Sequence, residues 1–398
     1  MKNNSNISEL ITQGENSSIE FKSEKVRPES LAKEMTAFAN TNGGTILIGV
    51  EDDGIITGIS ADRLSHMDEW ISNIAGNNMI PSISPVFRIE EIENKKIAVI
   101  EIAKGVSKPY QTIDGKYWIR VGSTNRSATK EELSRLFQQA GLVHYDISPV
   151  EGTSEKDFDE IKLHDYWMNY YEINFSSLEN QDRKRLLINA DILVPHEDSF
   201  YASVGGLLIF GRNSQQRLPH SSVKMAVFKG THITDDLIDK KEIKGTCPEL
   251  IDNTAGLINM FLPRSSTIEG LKREEKILIP AKVIREALVN AVCHRDYSII
   301  DRHISVYMYS DRIEITSPGR IANTLTLEKI KVGNSAVRNH FLLKYLDNMR
   351  YIDGLGRGIP MMIKEMKKRV RFEELGELFR VILFFSIQSA NVSVSRST

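Results

Sequence analysis

Three polar residues recur at four-residue intervals in the stretch EALVNAVCHRDY: Glu286, Asn290 and His294. Residues i, i+4 and i+8 lie above one another on a helix, while Ala287, Leu288, Ala291 and Val292 supply apolar surface elsewhere on the cylinder. A solvated helix face ordinarily carries Lys/Glu pairs. A carboxylate, an amide and an imidazole suit a hydrated divalent ion instead. Downstream, in DGLGRGIPMMIKEMKK, Gly354, Gly356 and Gly358 alternate just before a run in which Ile359, Met362, Ile363 and Met366 fall at helical spacing. Glycines let backbone N–H groups approach a phosphate closely, and a helix N-terminus adds partial positive charge, so this segment reads as a phosphate cradle with Arg357 beside it.

A second constellation lies near the N-terminus. In GENSSIEFKSE, Glu15 falls in a loop, and Glu20 and Lys22 share one face of a strand because Ile19 and Phe21 alternate with them. Asp52 follows the apolar run TILIGV. If the two strands are neighbours, three carboxylates converge, a donor set for Mg²⁺ or Mn²⁺ and for phosphodiester hydrolysis with Lys22 steadying the phosphate. The same residues also read as solvated strand charges followed by an everyday acidic turn, EDDG. Lys108, Lys116, Arg120 and Arg126, with Tyr110, Tyr117 and Trp118 interleaved, offer phosphate and stacking contacts to nucleic acid. The alternative is that alternate residues of WIRV are core and the charges are merely exposed.

The elements that must hold these residues follow from the pattern. Leu31, Met35 and Phe38 mark a helix that stops at Asn42-Gly43-Gly44 and leads into the strand TILIGV. A turn at EDDG, a second strand, a helix near 62–75, the strand KKIAVIEIA and the segment KYWIRVGSTNR follow. Thr129 with Glu132 predicts a capping box opening another helix. The polar stretch VHYDISPVEGTSEKDFD is a connector, and a helical stretch around 160–190 and a predicted strand, VGGLLIFG, precede SSVKMAVFKG. A helix–strand series begins near Cys247, and HISVYMYSDRIEIT reads as two alternating strands around Ser310-Asp311 that deliver the chain to Ser317-Pro318-Gly319. The expected organisation is an α+β multidomain chain: residues 1–140, a middle α/β region 141–245, residues 246–390, and a tail 391–398.

The 398 residues exceed what one core usually organises. A net charge of −2 excludes a global basic field, so nucleic acid would be held by a local patch. Two cysteines are too few for a disulfide framework, the first residues have no apolar signal core, and no apolar run approaches membrane-spanning length, which together predict a cytoplasmic protein without membrane partners.

GENSSIEFK, AFANTNGGTILIGVEDDG and KYWIRVGSTNR together resemble the Schlafen AlbA-like domain over residues 10–137. The resemblance implies an α+β domain in which Glu15, Glu20 and Asp52 form the acidic set that nuclease members use to cleave RNA, chiefly tRNA; many bacterial relatives are instead labelled DNA-binding regulators. The helix Glu-x-x-x-Asn, the strand pair, the glycine turn and the Gly-rich loop in that order resemble the GHKL ATPases, in particular the divergent RecG-like branch whose NAxxHRDY is matched by residues 290–297. That resemblance implies a Bergerat-type α/β sandwich binding ATP. Glu286 would polarise the attacking water, Asn290 would hold Mg²⁺, Gly354, Gly356, Arg357 and Gly358 would wrap the phosphates, and His294, Ser317 and Gly319 would line the nucleotide. One departure is Ser317, where the superfamily places an adenine-reading Asp. The Walker A pattern GxxxxGK[ST] is absent. The implied whole is an ATP-regulated, metal-dependent endonuclease acting on RNA or DNA, working as a homo-oligomer, with antiviral defence as the setting. The alternative is a non-catalytic DNA-binding regulator with ATP as effector. Relatives of that kind often append a winged helix, whereas here about thirty residues follow the last recognisable helix.

Overall fold

The Pro28–Asn40 helix opens on a proline, whose missing N–H is no loss in a first turn, and it buries Leu31, Met35 and Phe38 as their spacing predicts. It packs on a four-stranded sheet of order Ile19–Lys22, Gly43–Ile48, Lys95–Ala103, Val86–Ile92; the first pair is parallel and the others antiparallel. The neighbouring of the first two strands is thus the one that the acidic constellation required. A hairpin, Trp118–Val121 with Thr124–Ser127, follows, and the Lys130–Gln139 helix carries the Thr129/Glu132 capping box. Two expectations differ. The second strand after EDDG is only an isolated bridge between Val50 and Ile56, and the helix near 62–75 is broken into Ala61–Ser65 and Met67–Asn77.

These are features of a computed structural model that describes residues 4–140, 143–263, 265–269, 272–276, 278–321, 325–352 and 355–386. The chain divides into two units, Met1–Val143 and His144–Thr398. Gly354 and the tail 391–398 lie outside the described residues.

The second unit is built on a six-stranded sheet of order Leu237–Ile243, Val223–Phe228, Ile304–Met308, Arg312–Pro318, Leu378–Phe384, Val370–Leu375, with the second and third strands parallel and the remaining pairs antiparallel. The Cys247–Phe261 and Ala281–Cys293 helices share one apolar cluster with it, in which Leu250, Ile251, Ile284 and Leu288 meet Val306, Ile315 and Leu383. Fold class is therefore mixed α and β in two domains, the second a helix-on-sheet sandwich. The middle region does not stand apart: Phe158, Leu187 and Phe210 belong to the same cluster, and the Val223–Phe228 strand is interior to the sheet.

VGGLLIFG is a helix, Val204–Phe210, where the apolar run predicts a strand. The Ser203 hydroxyl oxygen accepts from Gly206 N at 2.9 Å, an N-cap, and all seven residues are buried, so a segment enclosed on every side shows no amphipathic period to read. The stretch 160–190 is two helices, Glu160–Tyr171 and Asn180–Asn189. Among the described residues no helix is long and apolar enough to cross a membrane.

Candidate nucleotide site and the acidic cluster

The Ala281–Cys293 helix stops one residue earlier than the polar stripe requires: His294 is its C-cap, at φ −98°, with its N–H donating to Asn290 O at 3.0 Å. Glu286 and Asn290 remain on one face, half-buried, and the Asn290 amide Nδ2 donates to Glu286 Oε1 at 2.9 Å. That bond fixes the amide's orientation and leaves its Oδ1, the atom suited to Mg²⁺, turned the other way. Both residues line a cavity whose further walls are His294, Ser317 and Gly319, the segment Ile330–Arg338, and Gly356 with Gly358.

Each wall has a physical anchor. The Ser317 hydroxyl donates to Ala291 O at 2.6 Å, tying the sheet to the helix and committing its proton, so toward the cavity it offers only lone pairs. Three successive carbonyls at the helix end are satisfied from a distant segment: Arg338 Nη1 donates to His294 O at 2.7 Å, and Asn339 Nδ2 donates to Cys293 O and Arg295 O at 2.8 Å each. Arg338 Nη2 also donates to Arg320 O at 2.5 Å. Burial, with the Arg338 guanidinium beside it, pushes the His294 imidazole down to about 4, so it is neutral at pH 7. Of the remaining HRDY residues, Arg295 is fully buried and donates to Ile299 O and Arg302 O, and the Tyr297 hydroxyl donates to Val292 O at 3.0 Å. Asp296 N donates to Pro318 O at 2.7 Å. This motif anchors the helix end to the Ser317–Gly319 turn.

Gly358 begins the Gly358–Met366 helix, and the Glu286 carboxylate occupies the place a Cβ there would take, so any larger residue displaces that carboxylate. Gly356, at φ +67°, lies against the backbone of Gly333 in the opposite wall, which joins the Gly-rich loop to the Ile330–Arg338 segment. Arg357 is exposed.

The N-terminal constellation is arranged differently from the expectation. Glu20 is 5% exposed, with Oε1 accepting from Lys22 Nζ and Oε2 accepting from Arg120 Nη1 at 2.5 Å. The Arg120 side chain, 1% exposed, further donates to Asn16 O at 2.7 Å and Ile19 O at 2.9 Å. The second carboxylate of this cluster is Glu34, which the sequence did not single out; it lies 3.6 Å from Arg120 and 3.8 Å from Lys22 and accepts from Asn125 Nδ2. Burial, then the nearby Glu20 charge, raises the Glu34 carboxyl above its ordinary range. Glu15 turns its Oε1 to Phe21 N at 3.0 Å, and Asp52 sits exposed in the turn. The expected acidic triad is therefore replaced by two carboxylates neutralised by two cations. Among the described residues no group of three His, Cys, Asp or Glu side chains is placed to hold a metal.

The proposed nucleic-acid contacts are likewise engaged. Lys108 is 2% exposed and donates to Thr41 O at 2.7 Å, Lys116 pairs with Asp114 at 2.9 Å and Arg126 with Glu132 at 2.8 Å. Ile119, Arg120 and Tyr110 are buried, so WIRV does not alternate and the Arg120 charge is enclosed, where the core reading expected it exposed.

Residues 15–129 match the family model described as "Schlafen, AlbA_2", and residues 301–383 match the one described as "Putative ATP-dependent DNA helicase recG C-terminal". The chain carries a Schlafen AlbA_2 domain and a RecG-type ATPase-like domain. The AlbA_2 match contains the whole acidic cluster; the ATPase-like match contains Ser317, Gly319, Arg338, Gly356 and Gly358, while the helix bearing Glu286 and Asn290 precedes it. Two such domains suggest a nucleic-acid-related ATPase. Among solved structures, the DIP2311 protein from Corynebacterium diphtheriae is 20% identical over 96% of this chain and 79% of its own, with a TM-score of 0.46. The N-terminal domain of a RecG-related protein from Nitrosomonas europaea is 20% identical over 32% of this chain and 95% of its own, with a TM-score of 0.25. No curated protein matches the chain.

Proposed function

We propose that the ATPase-like domain binds ATP with Mg²⁺ in the cavity beneath the Ala281–Cys293 helix, and that the chain uses nucleotide state to control an action on nucleic acid. The observation that carries this reading is the Asn290 amide, locked by Glu286 so that Oδ1 is left for a metal beside the N-terminus of the Gly358–Met366 helix. Asn290 Oδ1 would hold the ion, which would supply neutralisation of the phosphate charge. Glu286 orients and deprotonates water where the terminal phosphate would meet the helix start, and the N–H groups there favour the anion. Ser317 Oγ, an acceptor once its proton is on Ala291 O, suits the adenine amino group, which is a donor. Turnover of radiolabelled ATP by the full chain tests the reading: wild type hydrolyses it, Glu286→Gln binds without turnover, and absence of both binding and hydrolysis in the wild type refutes it.

A metal-dependent endonuclease at Glu15, Glu20 and Asp52 requires Glu20 to leave Arg120 and Lys22. The pairing of Glu20 favours the second reading, a DNA- or RNA-binding regulator for which ATP is the effector. Incubation with labelled tRNA, single-stranded DNA and duplex DNA, with Mg²⁺ or Mn²⁺ and with or without ATP, separates the two: cleavage abolished by Glu20→Gln supports the nuclease, binding without cleavage the regulator. Two free, buried thiols, Cys247 and Cys293, agree with a reducing cytoplasm. Homo-oligomeric assembly belongs to the same proposal and is read by light scattering across an ATP titration; a role in antiviral defence is read by challenge of cells bearing Asn290→Ala.

A further inference from the structure

The Glu160–Tyr171 helix ends in four aromatic side chains that split between two environments. Tyr166 and Trp167 are buried, whereas Tyr170 and Tyr171 are 40% and 45% exposed at the end of the helix, where Glu172 turns the backbone at φ +56°. Both exposed rings are held from behind: Tyr170 lies 5.2 Å from Tyr166, and Tyr171 lies 5.1 Å from Trp167. Asn348, at the end of the His340–Asn348 helix, donates from Nδ2 to Tyr166 OH at 2.6 Å and to Tyr171 OH at 3.3 Å. The two tyrosines are thus rigid, with open faces, and order little on contact with a partner.

Beside them the same solvent-open depression is lined by Asn169 and by Arg350, which is exposed and stands at φ +62°. Arg285 lies with its guanidinium 5.1 Å from the Tyr351 ring and donates from Nη2 to Arg350 O at 2.9 Å. Neither arginine makes an ion pair among the described residues, and the nearby Asp252 carboxylate is taken by the Tyr351 hydroxyl at 2.5 Å. The exposed Arg350, sharing the depression with the two aromatic rings, and Arg285, bonded to the Arg350 carbonyl, match the chemistry of a phosphodiester strand with unstacked bases. A duplex keeps its bases stacked on one another and presents no such faces.

We propose that Tyr170, Tyr171, Arg285 and Arg350 form a binding site for single-stranded nucleic acid on the ATPase-like unit, separate from the AlbA_2 domain. The site adjoins the nucleotide cavity through the chain itself: Arg285 immediately precedes Glu286, and Ile352, two residues after Arg350, lines the cavity. Strand binding and nucleotide binding therefore act on the same two segments. The inference rests on the proposed association with nucleic acid.

The test uses the full chain and fluorescein-labelled oligo(dT) and oligo(U), followed by anisotropy across a salt series. Tyr170→Ala and Tyr171→Ala each weaken binding about 10-fold, the equivalent of ~1.4 kcal/mol, while Tyr170→Phe, which keeps the stacking face, binds as the wild type does. Arg350→Ala lowers the slope of log affinity against log salt by about 0.7. An oligonucleotide carrying 5-iodouracil photo-crosslinks to the peptide containing Tyr170 and Tyr171. If the wild type binds single strands but all the variants match it and crosslinks fall only within residues 1–143, the site is refuted and the general association stands. If the wild type binds no nucleic acid, both fall.

Discussion

Removal of Glu20 separates a structural role from a catalytic one. At an effective dielectric of about 20, a unit pair at the 2.5 Å of Arg120–Glu20 attracts by ~7 kcal/mol. Desolvation of both groups and repulsion between Glu20 and Glu34 offset part of that. In Glu20→Ala the Arg120 guanidinium, 1% exposed, keeps only Glu34 at 3.6 Å as a counter-ion, and Glu34 must also serve Lys22. Breaking one side of a buried pair in this way costs about 3–5 kcal/mol. For a unit the size of the first one, the loss corresponds to a melting transition lowered by about 10–15 °C. Differential scanning calorimetry of the full chain reads it, and Glu20→Leu with Arg120→Met recovers most of the loss because no unpaired charge remains buried, with Lys22 and Glu34 still balancing one another. If Glu20→Ala melts within about 2 °C of the wild type, Glu20 is not a structural ion and the argument against a metal role for it fails.

Four other outcomes are expected. Asn290→Ala loses Mg²⁺-dependent ATP binding, whereas Glu286→Gln keeps the nucleotide and loses turnover, measured by calorimetry and phosphate release. Gly358→Ala places a methyl where the Glu286 carboxylate sits, displaces it and lowers ATP turnover at least about 10-fold, the equivalent of ~1.4 kcal/mol, read by the same phosphate-release assay. Ser317→Ala removes the acceptor facing the cavity and narrows the preference for ATP over GTP in competition, with a modest loss of stability from the freed Ala291 carbonyl. Burial, then the Arg295 charge, holds the His220 imidazole down at about 4 against an ordinary 6.5, so the stability it permits is complete above pH 6.5 and is lost as pH falls toward 4, on the order of 3 kcal/mol. Urea unfolding at pH 7.5 and 4.5 shows that loss, and His220→Gln removes the His220 share while the share of His294, held down to about 4 in the same way, remains.

Much of the frame was legible because local chemistry decided it. Leu31, Met35 and Phe38 fall at helical spacing and are buried, Thr129 and Glu132 form the capping box, and Ser310-Asp311 is the turn between two antiparallel strands. The segment 204–210 was misread because its apolar residues are enclosed on all sides, which erases the period that distinguishes helix from strand. Glu286 and Asn290 were readable as a pair since both belong to one helix. Arg338 and Asn339 were not, because their role is to satisfy carbonyls that lie more than forty residues away in sequence. The same limit explains the acidic cluster: Arg120 meets Glu20 across a separation of 100 residues, and Glu34 joins them from within a helix whose pattern announced only its apolar face.

Calorimetric titration of Mg²⁺-ATP into the full chain, with Asn290→Ala as the control, tests the central claim most directly. The account predicts saturable binding at one site per chain that vanishes without Mg²⁺ and in Asn290→Ala. Absence of heat at millimolar ATP in a folded wild type, or equal binding by Asn290→Ala, contradicts it.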